Sequence, residues 1–415
     1  MSSRFIGILL FVIIIGSYFP LQTLFFAVSA GMVLFLIVFR KVLQRKPFHM
    51  LWLGIPTILS TIIGLSTFKI FNVVKDIYYF SVPLLLFLFG GLLATKVRFN
   101  SFLRIIVISG FVVSIIRVVI SASFAGFSAF LNPYEARYAI VGIVGNPAPV
   151  IGLAILLFSK KLGFKLFNSS LFNLLFVVNL LGIYMFASRT YYILLLCFAF
   201  FYIADKFKTI YLIPISAFTG LVFLFVLNES GSTSGNSSNV FIDKFFKSFT
   251  ELSINKFQTA EDINTMYRGY ESYMALKAFQ EGKTINWIFG GLGKLVDLES
   301  DVLGEGLRNI PILHNGWIYI MLKTGILGLL FYILFLLQMF RRGWNFYRVK
   351  NMPPHIRFNL ALFLGCITGL VITNYVVISL FNVEMTVMLI CLGYCYVFGF
   401  TLIDSIEKKD RWEPK

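Results

Sequence analysis

ILHNGWIYIMLKTGILGLL, residues 312–330, begins as polar chain and continues as an apolar helix whose single charge is Lys323. The apolar run extends to Phe340, and at 1.5 Å per residue about 20 such residues cross the roughly 30 Å hydrocarbon layer of a bilayer. His314, one of only three histidines in the 415 residues, therefore stands where the chain enters a membrane span.

Runs of the same kind recur from end to end. They predict an all-α polytopic membrane protein with about twelve transmembrane helices, over 5–19, 21–39, 51–68, 77–94, 102–121, 139–158, 171–187, 190–204, 209–227, 313–340, 358–380 and 383–403. A chain that is 58% hydrophobic and only 13% charged would expose too much apolar surface as a soluble monomer. An outer-membrane barrel would show short alternating segments, and these runs are continuous. The four cysteines (Cys197, Cys366, Cys391, Cys395) all lie inside apolar runs and read as small hydrophobes, with neither a disulfide framework nor a metal site indicated. The first apolar run leads straight into a second with no small-residue cleavage site, so no removable signal peptide is expected.

The net charge of +17 is placed between apolar runs, which argues for membrane topology and against a nucleic-acid partner. Arg4, RKVLQRK (40–46), TKVRFNSFLR (95–104), SKKLGFK (159–165), DKFK (205–208), RRGWNFYRVKNMPPHIR (341–357) and KKDRWEPK (408–415) hold 22 of the 36 basic residues. All fall on one side of the twelve-span arrangement. By the positive-inside rule that side, with both termini, is cytoplasmic. The chain divides into an N-terminal bundle (1–227), one large extracytoplasmic segment (228–312) and a C-terminal unit (313–415). The middle segment opens with NESGSTSGNSSN (228–239), a solvated, flexible composition. It continues through a helical stretch where Met266, Tyr270, Tyr273, Met274 and Lys277 share one face, then the Gly-rich WIFGGLGK (287–294).

Several arginines break the charge pattern. Arg117 stands 13 residues past cytoplasmic Arg104, about 20 Å up its helix. Arg137 precedes a span, Arg189 sits in the turn ASRT, and Arg268 and Arg308 belong to the outer segment. Arginine at membrane depth is costly unless it faces a polar cavity or an anion, and its fork suits phosphate. Any one of them serves equally well as an interfacial residue reaching lipid headgroups; the set, gathered on one side, points to a shared anion site. In GIVGNPAP (142–149), Asn146 can cap a helix restarting at Pro147 whose positive end faces outward, or the prolines merely kink a span. Glu135 either orients Arg137 or is a solvated loop carboxylate. His314 is a candidate base, or else an interfacial histidine, and Asn315 beside it a candidate substrate contact. Lys323, nine residues on, falls on the opposite helix face and is expected to reach the outer boundary. Tyr270 and its aromatic neighbours offer sugar platforms, or an interfacial belt.

These segments, R-x(4)-GIVGNPAP from Arg137, SRT at 188–190, RGYESYMAL (268–276) ahead of WIFGGLG, and HN-x(7)-K-x-GILGLL, together resemble the O-antigen polymerase and O-antigen ligase family in order and topology over residues 134–340. The resemblance implies a GT-C-like fold and a glycosyltransferase without metal or other cofactor. Its substrate would be an undecaprenyl-pyrophosphate-linked oligosaccharide at the outer face of the bacterial cytoplasmic (inner) membrane. Arg137, Arg189 and Arg268 would engage the pyrophosphate and His314 would assist the acceptor hydroxyl. NPAP in place of NPN and Lys323 in place of a glutamate are departures, the second favouring a polymerase over a ligase acting on lipid A-core. The expected function is repeat-unit polymerisation, with membrane lipids and a chain-length regulator as further partners. The alternatives are the ligase and a lipid-linked oligosaccharide flippase; a flippase should carry polar residues through both membrane halves and show repeated halves.

Overall fold

The computed structural model describes residues 3–19, 27–31, 33, 52–133, 137, 145–204, 263, 266–298, 309–349 and 352–412. The span expected at 209–227, most of that at 21–39, the tract 228–239, Glu135 and Arg308 lie outside the described residues. The described chain is an all-α membrane protein. Its helices are α1 (Ser3–Gly16), α2 (Gly54–Thr67), α3 (Ile70–Leu93), α4 (Phe99–Ala125), α5 (Ala148–Lys161), α6 (Ser169–Phe186), α7 (Arg189–Ala204), α8 (Tyr267–Gln280), α9 (Thr284–Phe289), α10 (Gly316–Tyr347), α11 (Pro354–Val377) and α12 (Thr386–Trp412). Two short strands, β1 (Val296–Asp297) and β2 (Asn309–Ile310), pair antiparallel beyond α9.

Among the described residues six stretches are long and apolar enough to cross a membrane: α3, α4, α6, α10, α11 and Val383–Asp404 around the start of α12. In hydrocarbon every backbone amide must be bonded within its own segment, which is why these runs are helical. Helix α10 shows the resulting division of faces. Ile326, Leu330, Ile333, Leu334 and Leu337 are exposed, at the 3-to-4-residue spacing of one helix face, while Tyr332, Leu336 and Met339 are buried. Apolar surface in such a row suits contact with lipid tails.

Helix α3 packs against α12, α4 lies between α5 and α6, and α11 is held by α7, α10 and α12. Small residues set the closest approach. A methyl group on Gly182 of α6 would stand 2.0 Å from the Ser114 hydroxyl of α4, so these two helices cross nearly backbone to backbone. That contact brings Arg117, one turn further along α4, level with the end of α6.

Lys323 departs from expectation. It is 1% exposed, and its ammonium lies 2.6 Å from the carboxylate of Asp76 on α3, equally buried. The same carboxylate accepts the Gly293 N–H at 2.6 Å and the Tyr319 hydroxyl at 3.2 Å. The reason lies in the backbone. Gly325, at φ 70° and ψ −176°, breaks α10 just beyond Lys323. The Lys323 carbonyl, left without a partner in the helix, accepts from the Ser60 hydroxyl of α2 at 2.6 Å and from Gly291 N–H at 2.9 Å. GGLG (290–293) is thereby clamped to α2, α3 and α10, which is the function of its glycines. At Gly325 an added methyl would meet the Ile288 carbonyl at 2.3 Å. Gly325→Ala is expected to cost at least about 1–3 kcal/mol from the disallowed backbone alone, seen as a lowered midpoint of thermal unfolding in detergent.

Helix α8 buries only part of the face the spacing suggested. Tyr270, Glu271, Met274 and Ala275 are buried, while Tyr273 is exposed. The unforeseen member of the buried face is a carboxylate, and it leads to the site.

Candidate functional site

A cavity of about 550 Å³ opens where α4, α7, α8, the start of α10 and the ends of α11 and α12 converge. Arg117, Arg137, Arg268 and His314 line it, together with Tyr191 and Glu384, polar groups that the sequence did not single out. Residues more than 250 positions apart in sequence thus share one chamber.

Arg117 is 3% exposed. Its Nε donates to the Met185 carbonyl at the end of α6 at 3.1 Å, and its guanidinium lies 5.2 Å from the centre of the Phe186 ring. Its Nη2 is buried, and the neighbouring Tyr18 hydroxyl is its side-chain partner. A guanidinium this deeply buried at the wall of a polar cavity is costly unless its charge is compensated, which suits an anion in that cavity. Arg137 donates through Nη1 to the Ala187 carbonyl at 3.2 Å. Ala187 takes a left-handed conformation at the end of α6, which turns its carbonyl away from the helix. Arg189 begins α7 half-buried, and its neighbours Ser188 and Thr190, rather than Arg189 itself, line the chamber. Arg268 comes from the first turn of α8.

On the same helix as Arg268, Glu271 is 2% exposed and binds His314 twice. One carboxylate oxygen accepts the His314 backbone N–H at 2.7 Å and lies 3.0 Å from the ring Nδ1. A carboxylate accepts, so Nδ1 is the nitrogen that donates to Glu271, and in the neutral imidazole Nε2 is the one that presents a lone pair. The Tyr267 ring stands edge-on to the imidazole at 6.2 Å. Burial and the Glu271 carboxylate hold the Tyr267 phenol above its ordinary value, so it stays neutral beside the histidine. The His–carboxylate pair is the orientation a general base needs: one nitrogen fixed, the other presented.

The other candidates take structural positions. Asn315 caps α10, its side chain accepting the N–H groups of Trp317 and Ile318. The Tyr270 hydroxyl donates to the Leu298 carbonyl and Tyr270 does not line the chamber. Asn146, fully buried, accepts the Ala148 N–H at the start of α5 and donates to the Ile14 carbonyl of α1 at 2.8 Å. The first residues of α5 are buried, and only Gly145 before them reaches the cavity, so the expected phosphate-binding helix end is closed off. Among the described residues no three His, Cys, Asp or Glu side chains gather as a metal-ion site.

Glu384 and Glu271 gave no sequence signal because each is an isolated carboxylate in an apolar or mixed helix. Their distance in sequence from the arginines hides the chamber they share. Compared with protein-family models and with curated proteins, the chain matches none.

Proposed function

We propose that this protein is a glycan repeat-unit polymerase of the bacterial cytoplasmic membrane, GT-C-like in fold. It transfers a growing polysaccharide from undecaprenyl pyrophosphate to another lipid-linked repeat unit at the outer face. The observation that carries this reading is one chamber that holds three arginines, one of them deeply buried, beside a histidine fixed by a buried carboxylate. Among the described residues that line the chamber, three guanidiniums stand against one carboxylate, a net positive set that suits a pyrophosphate.

The chemistry follows from those groups. The acceptor hydroxyl oxygen attacks the anomeric carbon of the donor sugar, and its proton passes to Nε2 of His314. The bond from that carbon to the pyrophosphate oxygen breaks, and the lipid pyrophosphate leaves with the electron pair. Arg117, Arg137 and Arg268 stabilise the charge that develops on it. Lipid pyrophosphate is already a good leaving group, so orientation and charge neutralisation supply what the reaction needs.

Arg117→Ala, Arg137→Ala and Arg268→Ala are each expected to reduce polymer formation about 10²–10³-fold while the protein remains inserted. The check is an electrophoretic ladder of surface glycan: single repeat units in a deletion strain and in the variants support polymerisation. Normal chain lengths in all three variants refute the pyrophosphate site. Loss of attached glycan with lipid-linked polymer accumulating identifies a ligase instead.

A further inference from the structure

The chamber has a second pole that the transfer step does not use. Tyr191, in the first turn of α7, is 2% exposed and borders the cavity, its hydroxyl beside the Asn146 backbone. Glu384 stands at the head of α12, its backbone N–H capped by the Asn382 side chain at 2.9 Å, and its carboxylate faces Arg137 and the Gly145 backbone. The two groups converge: a methyl on Gly145 would lie 2.8 Å from both the Glu384 carboxylate oxygen and the Tyr191 hydroxyl. Gly145 therefore keeps the space between them open.

A carboxylate among arginines weakens anion binding; Glu384 accepts from the Gly145 backbone and the Asn382 side chain and keeps further acceptor capacity in the chamber it lines. In a lipid-linked glycan, the group covalently next to the pyrophosphate is the first sugar. We propose that Glu384 and Tyr191 form the recognition site for that sugar, taking its hydroxyl or amide N–H groups as hydrogen-bond donors. This rests on the polymerase reading, which supplies the pyrophosphate, and it adds the chemical class of the neighbouring residue. A carboxylate acceptor favours a neutral or N-acetylated hexose and repels a uronic acid, whose own carboxylate would be brought against it.

The test is binding to the full-length protein in detergent. The probes are farnesyl pyrophosphate and farnesyl pyrophosphate carrying glucose, galactose, N-acetylglucosamine or glucuronic acid. Wild-type protein is expected to bind one neutral sugar-bearing lipid more tightly than the sugar-free one. Glu384→Gln should cut that gain about tenfold while farnesyl pyrophosphate itself binds as tightly as to wild type or more so, and Tyr191→Phe should cut it about fivefold with farnesyl pyrophosphate affinity unchanged. Both substitutions preserve shape, and an unchanged unfolding midpoint confirms the fold. The inference is overturned if no neutral sugar improves binding, if the glucuronic acid lipid binds best, or if both variants weaken the sugar-free and sugar-bearing lipids equally. Failure of the pyrophosphate reading looks different: farnesyl pyrophosphate then binds wild type and Arg117→Ala alike.

Discussion

Asp76→Ala is expected to destabilise the protein by about 3–5 kcal/mol, the largest stability effect of any single substitution considered. The carboxylate is 1% exposed and meets three donors: the Lys323 ammonium, the Gly293 N–H and the Tyr319 hydroxyl. Removing it strands a lysine in the bundle interior and frees GGLG from α3. Because α8 packs against α9, α10 and β1, loosening that loop also loosens Arg268 and Glu271. Thermal unfolding in detergent measures the first effect, and protease sensitivity of the 266–298 stretch the second. The double variant Asp76→Leu/Lys323→Met removes both charges and should recover most of the loss, since a pair replaced by apolar side chains is often close to neutral. It should not recover all of it, because Gly293 N–H loses its acceptor. A single variant as stable as wild type would show that the pair is solvated and that the loop is held by other contacts.

His314→Ala is expected to lower the transfer rate about 10²–10⁴-fold through kcat with little change in KM, because a base acts only as the reaction proceeds. Glu271→Gln should lower it about 10–100-fold, because it keeps a polar group near Nδ1 but removes the charge that fixes the tautomer. The combined variant should be hardly worse than His314→Ala alone, since Glu271 acts through the histidine. The measurement is elongation of a lipid-linked acceptor by purified enzyme in detergent. Additive losses would mean that Glu271 has a separate role, such as holding Arg268. An unaltered rate in His314→Ala would remove the histidine from the chemistry.

Of the ten expected spans that fall largely within the described residues, each has a helix at its place, six of them long and apolar enough to cross a membrane. These were legible because lipid permits only apolar, internally bonded segments, and that demand is written residue by residue. The break inside α10 was not legible. A glycine in an apolar helix is ordinary, and only its neighbours, Ile288 and Lys323, show that the backbone turns there. Lys323 was misjudged for the same reason: a lysine near a membrane boundary reaches water by default, and its partner lies 247 residues away on α3.

For the site, the sequence marked Arg117, Arg137, Arg268 and His314, because charge in or beside an apolar run is expensive and so stands out. Those four line one chamber. What the sequence by itself determined is the helical membrane architecture and the cations worth watching, both consequences of hydrocarbon as a solvent. What only the tertiary structure decided is the company they keep. Glu271 fixes His314, Glu384 and Tyr191 face the arginines, and Asp76 claims Lys323, because partners chosen across folded helices follow distance in space and leave no periodic trace along the chain.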